Sequence, residues 1–583
     1  MGTIDRRPYT SATVLNQSLL DECQDNLTNK LEMICELQDI GSSNETLYLS
    51  DRAKYVDGRF YYPRVIFPTI DRTIGDWLSN QIEFSSCQLK INNADGFYNH
   101  LIMGGSEYNG FIGRRVLIKI GIGEDSSLYN QVFTGTITEV AGFSRDTSSF
   151  TITARQDFER INVSIPTTVF TESDWPDIEE NFIGLGMPII YGDWTTQLRI
   201  ESPEVPCYPV NGNDPLVNKS LEDPNAGDTA LRCVISSNPL LYVDTASVTL
   251  LRGDSYYIFD PSDISIVAGS SNQAIDIEQK NLMIDGSPWI YETNDEFFIK
   301  IKGQDLGSYN DNIVAQAKDI LISYTELLLT DFDSSWDSYR DKATPFQSAI
   351  ANFKSRVWIQ ENTSVLEYVT SMLEQVRLEP YVTRDNKWAI NSLHFEDFLP
   401  SSLTDYTAKN WDIILDSFSP QTDDRNNFNR ASAEYSFSPV ISQNKYSTSV
   451  YRNDNAITQS GKEISKIIIF PNLYIKSDVI FQLIEILRLA TSYFERISMT
   501  LTSRAFLLDL GDFITLDVSI GSVDFINLND PVTGQIRKIG YDPNGLVIPI
   551  EVWSFQLVPF PGSEKIGVNG IVGGYNATIT EEI

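Results

Sequence analysis

Histidine is nearly missing from this chain: His100 and His394 are the only two among 583 residues. Each sits beside aromatic or apolar residues, with no neighbouring Cys or second His. A Ser/His or Cys/His nucleophile would have to use one of them, which disfavours that class of chemistry. The patterns HExxH, GxSxG and the phosphate loop are missing as well. Cysteine is scarce. The five (Cys23, Cys35, Cys87, Cys207, Cys233) are an odd number and form no CxxC. That argues against a disulfide framework and against zinc. Cys35 and Cys87 fall on apolar strand faces, where a thiol behaves as a small hydrophobe, so reduced cytosolic folding is expected. Basic residues are outnumbered, 44 against 79 acidic, for a net charge of −35. Holding a phosphate backbone takes a basic stripe, so no specific nucleic-acid binding is expected. Like charge gives solubility, or a wall that DNA passes without sticking. No uncharged apolar run nears the ~18 residues of a membrane span. The strongest candidate, KIIIFPNLYIK, is broken by Pro471. MGTIDRRPYTSAT has no signal core, and Arg6 spoils a myristoylation pattern. A soluble chain with no secretion address and no membrane span is expected.

What is plentiful is β-forming material. The apolar fraction is 42% and the aromatic fraction 11%, with 30 Phe and 27 Tyr. Length sets a prior of three to five domains. In SSCQLKINNADGFYN, Cys87, Leu89 and Ile91 alternate with Gln88, Lys90 and Asn92, the period of a half-buried strand. The Asn-Asn-Ala-Asp-Gly that follows tolerates positive φ and ends it. Earlier, a short helix is expected over 12–27, then LEMICEL pairing with TLYLSD, then a tight Asp57-Gly58 hairpin turn. RRVLIKIGI, QVFTGTITEV and SSFTITAR continue the alternation, implying an antiparallel barrel or sandwich that ends near 165. A second β-rich stretch covers 201–303. Helices follow: Ile313, Ala317, Ile320, Leu321 and Tyr324 form one stripe. Val365, Val369, Met372 and Val376 form another, behind a Ser364…Glu367 capping box. PYVTRDNKWAINSL reads as a hairpin about Asp385-Asn386. A long helix is expected from a Ser477 cap to Phe494, and LLDLGDFITLDV and a hairpin turning at Asp542–Gly545 close a last β domain.

Candidate chemistry is sparse. Carboxylates are numerous enough for a glycosidase pair; Asp333/Asp337 and Asp423/Asp424 are the nameable pairs, with solvated loop charge as the competing reading. DPNAGD (223–228) and RDNK (384–387) are acidic loops that depart from the calcium-loop pattern, which leaves turn chemistry. Gly104-Gly105 and Gly121-x-Gly123 read as strand-end turns. The aromatics of YYIFD and FYYP suit sugar stacking or, by default, cross-strand packing. No catalytic, cofactor-binding or metal residue is assigned, and no cofactor is expected.

The order of pieces resembles the baseplate hub proteins at the tail tip of tailed bacteriophages. The likeness is carried by LEMICELQD…LYLSD…VDGRFYYP, by LKINNADGFYNHL…FIGRRVLIKIGIG…VFTGTITEV, by the connector MPIIYGDW, by the helix before PYVTRDNKW, and by AFLLDLGDFITLDV with RKIGYDPNGLVIPIEVW. It spreads over nearly the whole chain. It implies a mainly β fold with α+β inserts, in which two tube-like β-barrel domains flank β-rich and α+β middle domains. The spans expected are 1–169 (first tube-like domain), 170–303 (β-rich insert), 304–415 (α+β), 416–560 (second tube-like domain, with the long helix) and 561–583 (extended tail). It implies a non-enzymatic homotrimer whose six barrels form a pseudo-sixfold ring, adapting the sixfold tube to a threefold central spike or fibre around the genome exit channel. Expected partners are the tail tube or distal tail protein, the spike or fibre and the tape measure protein. The expected place is the virion's tail baseplate, and the host cytoplasm during assembly. The chain stops soon after its last barrel, so the spike or any wall-cutting enzyme is expected on a separate polypeptide. The competing readings are a receptor- or glycan-binding tail protein and, further off, a carboxylate-pair glycosidase.

Overall fold

The structure, a computed structural model, describes residues 32–41, 44–74, 85–102, 110–142, 148–156, 159–161, 163–195, 205–210, 230–253, 255–267, 271, 273–278, 291–341, 353–392, 406–409, 413–414, 417–422, 428–440, 442–491, 493–502, 505, 508–517, 532–542, 547–556 and 579–582. The expected helix at 12–27, Cys23, Gly104-Gly105, the 223–228 loop, His394, Asp423, Asp424 and most of the 561–583 tail lie outside the described residues. The fold is mainly β with α+β parts.

The first ten strands are β1 (Glu32–Ile40), β2 (Glu45–Ser50), β3 (Lys54–Val56), β4 (Arg59–Pro63), β5 (Val65–Ile66), β6 (Ile70–Thr73), β7 (Ser86–Asn92), β8 (Arg115–Gly121), β9 (Tyr129–Ala141) and β10 (Ser149–Arg155). All but β6 form one sheet in the order β3-β4-β2-β1-β8-β9-β10-β7-β5. The alternation sets its inner face: Cys87, Leu89 and Ile91 are buried, as are Val116, Ile118, Phe150 and Ile152. Turn chemistry sets its ends. Asp57 and Gly58 take φ of 47° and 74°, as a two-residue hairpin of the primed type requires. After β7, Asn92 Oδ1 accepts from Ala94 N–H at 3.0 Å and Asn93 Oδ1 from Tyr98 N–H at 2.9 Å. These side chains replace the ladder bonds that the strand gives up.

Strands β11 (Ser164–Ile165) and β12 (Ile189–Tyr191) lead into a seven-stranded sheet. It comprises β13 (Val205–Pro209), β14 (Ala230–Val234), β15 (Tyr242–Arg252), β16 (Ser255–Ile258), β17 (Ile264–Ile266), β18 (Ala274–Glu278) and β19 (Glu296–Lys302). Its core includes Leu231, Leu250, Ile275, Phe297 and Ile299. Buried Asn238 bonds Ile190 as a strand would, accepting from its N–H at 2.8 Å and donating to its carbonyl at 2.9 Å. The helices Ile313–Tyr324 and Val365–Glu374 share a second core with Trp336. Strands β20 (Val357–Ile359) and β21 (Thr363–Ser364) pair back to β12 and β11. Ser364 is the N-cap, but its side chain makes no capping bond. The expected capping box is therefore not formed; the first helical amide, of Val365, which such a box leaves alone, donates to Val163 O at 2.9 Å.

The expected hairpin is β22 (Leu378–Val382) and β23 (Trp388–Ser392), turning where Asn386 takes a φ of 60°. Next come β24 (Tyr406–Lys409) and β25 (Ser419–Thr422), which join the last sheet. A five-stranded sheet holds β26 (Arg430–Ser438), β27 (Gln443–Ser447), β28 (Val450–Asn453), β29 (Ser465–Phe470) and, from the far end of the chain, β34 (Ile579–Glu582). The long helix runs Lys476–Thr491, and Phe494 lies on a strand. It stops where the 3.6-residue stripe of Val479, Leu483 and Leu487 gives way to alternating Ile497, Met499 and Leu501. Helix and five-stranded sheet pack into the core of residues 313–390, so packing groups 428–491 with the α+β region, whereas the spans placed it with the final β domain. That final domain is β30 (Tyr493–Thr502), β31 (Phe513–Asp517), β32 (Val532–Tyr541) and β33 (Val547–Gln556), with β24 and β25 at its edges.

Candidate functional site: a duplicated module and its junction

The first and last sheets match strand for strand. One runs β7-β10-β9-β8 and the other β30-β33-β32-β31, with chain order β7, β8, β9, β10 matching β30, β31, β32, β33. The registers agree residue by residue. Cys87, Leu89 and Ile91 oppose Ala154, Ile152 and Phe150; Ile497, Met499 and Leu501 oppose Val552, Ile550 and Ile548. Val116 faces Gly135, and Ile514 faces Gly534. Both sheets slip by one residue at the same place, after Ile137 opposite Ala154 and after Ile536 opposite Val552. Gly113 N–H donates to Ile137 O at 2.8 Å, and Gly511 N–H to Ile536 O at 2.9 Å; these glycines have φ of 77° and 84°. A Cβ on Gly135 would lie 2.4 Å from Arg155 O, and one on Gly534 2.8 Å from Trp553 O. Bulges and left-handed glycines are conformationally costly features, so their recurrence at matched positions marks one module built twice. The copies differ at one edge: β1 runs antiparallel to β8, β24 parallel to β31.

The two modules share one hydrophobic core and are joined by β6. This strand leaves the first sheet and pairs with β32, Lys538 opposite Thr73 and Tyr541 opposite Ile70. It carries Arg72, fully buried, into the junction. The Arg72 guanidinium donates to the Asp509 carboxylate and, at 2.7 Å, to Val382 O on β22. Arg384, at the hairpin tip, donates to Asp509 Oδ2 at 3.2 Å, and its carbonyl accepts from Gln131 Nε2 on β9 at 3.0 Å. Both modules and the middle hairpin thus meet at one carboxylate. Burial alone would raise the pKa of Asp509, but the charges of Arg72 and Arg384 outweigh it and hold the group below its usual value. Beside it, Arg537 is ion-paired to Glu379 and lies over the Trp553 ring at 4.5 Å. Burial brings the guanidinium of Arg377 down to about 10.

The expected chemical candidates have structural work. Asp333 is buried and accepts from Ser335 N–H at 2.9 Å, starting the helix Ser335–Asp341; burial raises its pKa. Asp337 is ion-paired to Lys318 at 2.8 Å and Arg340 at 3.0 Å. His100 is exposed, its Nδ1 3.0 Å from Phe97 O. In the 384–387 loop the first residue is the buried partner of Asp509. Gly123 has φ of 75°, and Gly121 admits the Leu128 carbonyl, where a Cβ would come within 2.3 Å. The FYYP aromatics pack on each other and on neighbouring strands, Tyr61 edge-on to Tyr48 and Phe60 to Tyr62. In YYIFD, Phe259 stacks on Phe297 while Tyr256 stays exposed. Among the described residues no group of His, Cys, Asp and Glu is arranged to hold a metal ion, and no helix is long and apolar enough to cross a membrane. The junction residues were missed in the sequence. One signal was available: in Ile70-Asp71-Arg72-Thr73 the arginine stands on the inward phase of the alternation.

No protein-family profile matches the sequence, and no curated protein does. Solved structures to which the chain is similar include a tail protein and prophage tail proteins. The tail protein from Neisseria meningitidis MC58 is 9% identical, with 90% of this chain and 97% of that chain covered at a TM-score of 0.39. The 43 kDa tail protein of prophage MuSo2 from Shewanella oneidensis is 10% identical, with 89% and 96% covered at 0.36. The prophage tail protein gp18 from Listeria monocytogenes EGD-e is 10% identical, with 63% and 94% covered at 0.23.

Proposed function

We propose that this chain is the baseplate hub of a phage tail. Three copies form a ring of six modules, alternately first and last, which meets a sixfold tail tube or distal tail protein on one side. On the other it presents a threefold platform to a central spike or fibre. The observation that carries this reading is the duplication: one chain supplies two matched β modules, side by side and bound by β6, which the first lends to β32 of the last. A closed ring of three such chains is heterologous, each copy using one surface to hold the next. Its channel would admit the tape measure protein and the genome, and the net charge of −35 supports passage without adhesion. The role is structural, without turnover, in the virion baseplate, after assembly in the host cytoplasm. The expected spans become proposed units, with 428–491 bracing the ring from the middle region.

The test is mass in solution with particle images of the purified chain, over a range of concentrations and with tail tube added. A three-copy annulus showing six lobes is expected. A chain that remains single throughout, or a ring with another copy number, refutes the reading. A receptor- or glycan-binding role draws support from Tyr256 and Ile258, half exposed on edge strand β16. It requires the purified chain to bind host cells or their polysaccharide, and Tyr256→Ala to reduce that binding.

A further inference from the structure

The duplication makes the two modules comparable surface by surface, and one surface is filled in only one of them. In the last module, β6 lies along the far half of β32. Ile74 N–H donates to Arg537 O at 2.8 Å, so Lys538–Thr73 is a wide pair and Ile539–Arg72 a hydrogen-bonded one. The amide and carbonyl of Ile539 therefore face β6. The counterpart of Ile539 is Val140, which opposes Ile152 on β10 as Ile539 opposes Ile550 on β33. On the same side of β9, β8 reaches only Thr136. The next contact there is the Gly113–Arg114 turn against Ile137. Among the described residues, no strand pairs with Glu139–Ala141 on that edge. Beside it Ile112 is 46% exposed, whereas its counterpart, Leu510, is 2% exposed.

The complementary edge is present too. In the first module Val65 and Ile66 pair with Ile91 and Lys90, and β6 follows them. In the last, Ile413 bridges Leu501, Ile414 N–H donates to Thr500 O at 2.9 Å, and β25 follows. Strand β25 pairs with β30 and ends its sheet. It occupies the chain position of β6, with one edge unpaired among the described residues; Pro420, at the place of Arg72, offers that edge a carbonyl and no amide, so the bond left for the central pair runs from Val140 N–H to Pro420 O.

We propose that the open edge of β9, Glu139–Ala141, receives strand β25 from a second copy of this chain, with Ile112 covered in the same contact. The inference rests on the ring reading and deepens it: the interface inside the chain, β6 on β32, is continued between chains as β25 on β9. Strand addition to a free edge is an ordinary mode of recognition. An unpaired edge flanked by exposed isoleucine is also a hazard that assembly would remove.

Hydrogen exchange read by mass spectrometry, on the single chain and on the assembled particle, tests it. Peptides covering 138–142 and 418–422 are expected to exchange at least tenfold more slowly in the particle. Two variants accompany it. Val140→Pro deletes the outward amide, and Ile112→Lys places a charge where the single chain already tolerates water. Each is expected to weaken association about tenfold or more, equivalent to ~1.4 kcal/mol. A three-copy particle whose 138–142 amides exchange as in the single chain overturns the inference and leaves the ring standing. So does normal assembly of Ile112→Lys, or protection of that edge only by an added tail protein. A chain that never associates overturns both.

Discussion

Replacing Asp509 by Asn tests whether the buried ion cluster holds the modules together. The side chain keeps its shape and loses one negative charge facing two guanidinium groups. Arg72 is 0% and Arg384 4% exposed, so water cannot take over the lost interaction. Breaking a buried ion pair by removing one partner costs ~3–5 kcal/mol, mostly the penalty of the charge left behind. For a cooperative unit of 150–250 residues, ~3 kcal/mol lowers Tm by roughly 6–12 °C. Thermal unfolding at pH 7 reads the loss, and hydrogen exchange of β6 locates it. Removing Arg72 as well, in Arg72→Met/Asp509→Asn, should recover part of the loss, because the coupling energy of a contacting pair is non-additive. The pH profile gives an independent reading. The folded-state pKa of Asp509 is depressed, so its stabilisation is complete above the unfolded value of ~3.9 and fades as pH falls from there through the folded pKa. The variant should lose stability at pH 7 and show a shallower decline below about pH 4. A Tm within about 1 °C of the parent, or equal acid sensitivity in both, would refute the reasoning.

Other expectations follow from matched or buried groups. Gly135→Ala and Gly534→Ala should each destabilise their own module by ~1–3 kcal/mol, since the added methyl meets a backbone carbonyl; denaturant midpoints within 0.5 kcal/mol of the parent (roughly the size of a surface substitution) would show that the close approach is dispensable. Asn238→Leu leaves the Ile190 amide unpaired in the core, at ~1–3 kcal/mol, while the Ile190 carbonyl keeps the Gln304 N–H at 3.0 Å, and should release β12 in exchange experiments. Burial raises the Cys35 thiol well above its ordinary value and pushes Cys87 up to about 12. Together with Cys207 and Cys233 they should resist alkylation in the native protein at pH 8 and react fully in denaturant; rapid native labelling of any of the four would contradict their burial.

Much of the fold was legible because alternation and turn chemistry act over a few residues. Cys87-Leu89-Ile91, the Asp57-Gly58 hairpin and the turn at Asn386 all depend on neighbours in sequence, and they appear where expected. The stop of the long helix depended on a competition between two periods, and the capping box on Ser364, which is at once the N-cap and a paired residue of β21. Both are tertiary outcomes, and both departed from expectation. The duplication left a trace in Thr134-Gly135-Thr136-Ile137 and Thr533-Gly534-Gln535-Ile536, four residues long and too short to read as a repeat. The junction left less. Arg72, Arg384 and Asp509 become neighbours only through the path of β6, which local pattern does not encode.

That path also bears on the order of events at the ribosome. Arg72 and Asp509 are 437 residues apart, so at ~5–20 residues per second the arginine waits roughly 20–90 s for its counter-ion. During that interval β6 has no β32 to lie against. Truncated products would therefore carry an unneutralised, unpaired strand, recognisable to quality control. Only a chain synthesised past its final module holds both modules as a finished pair.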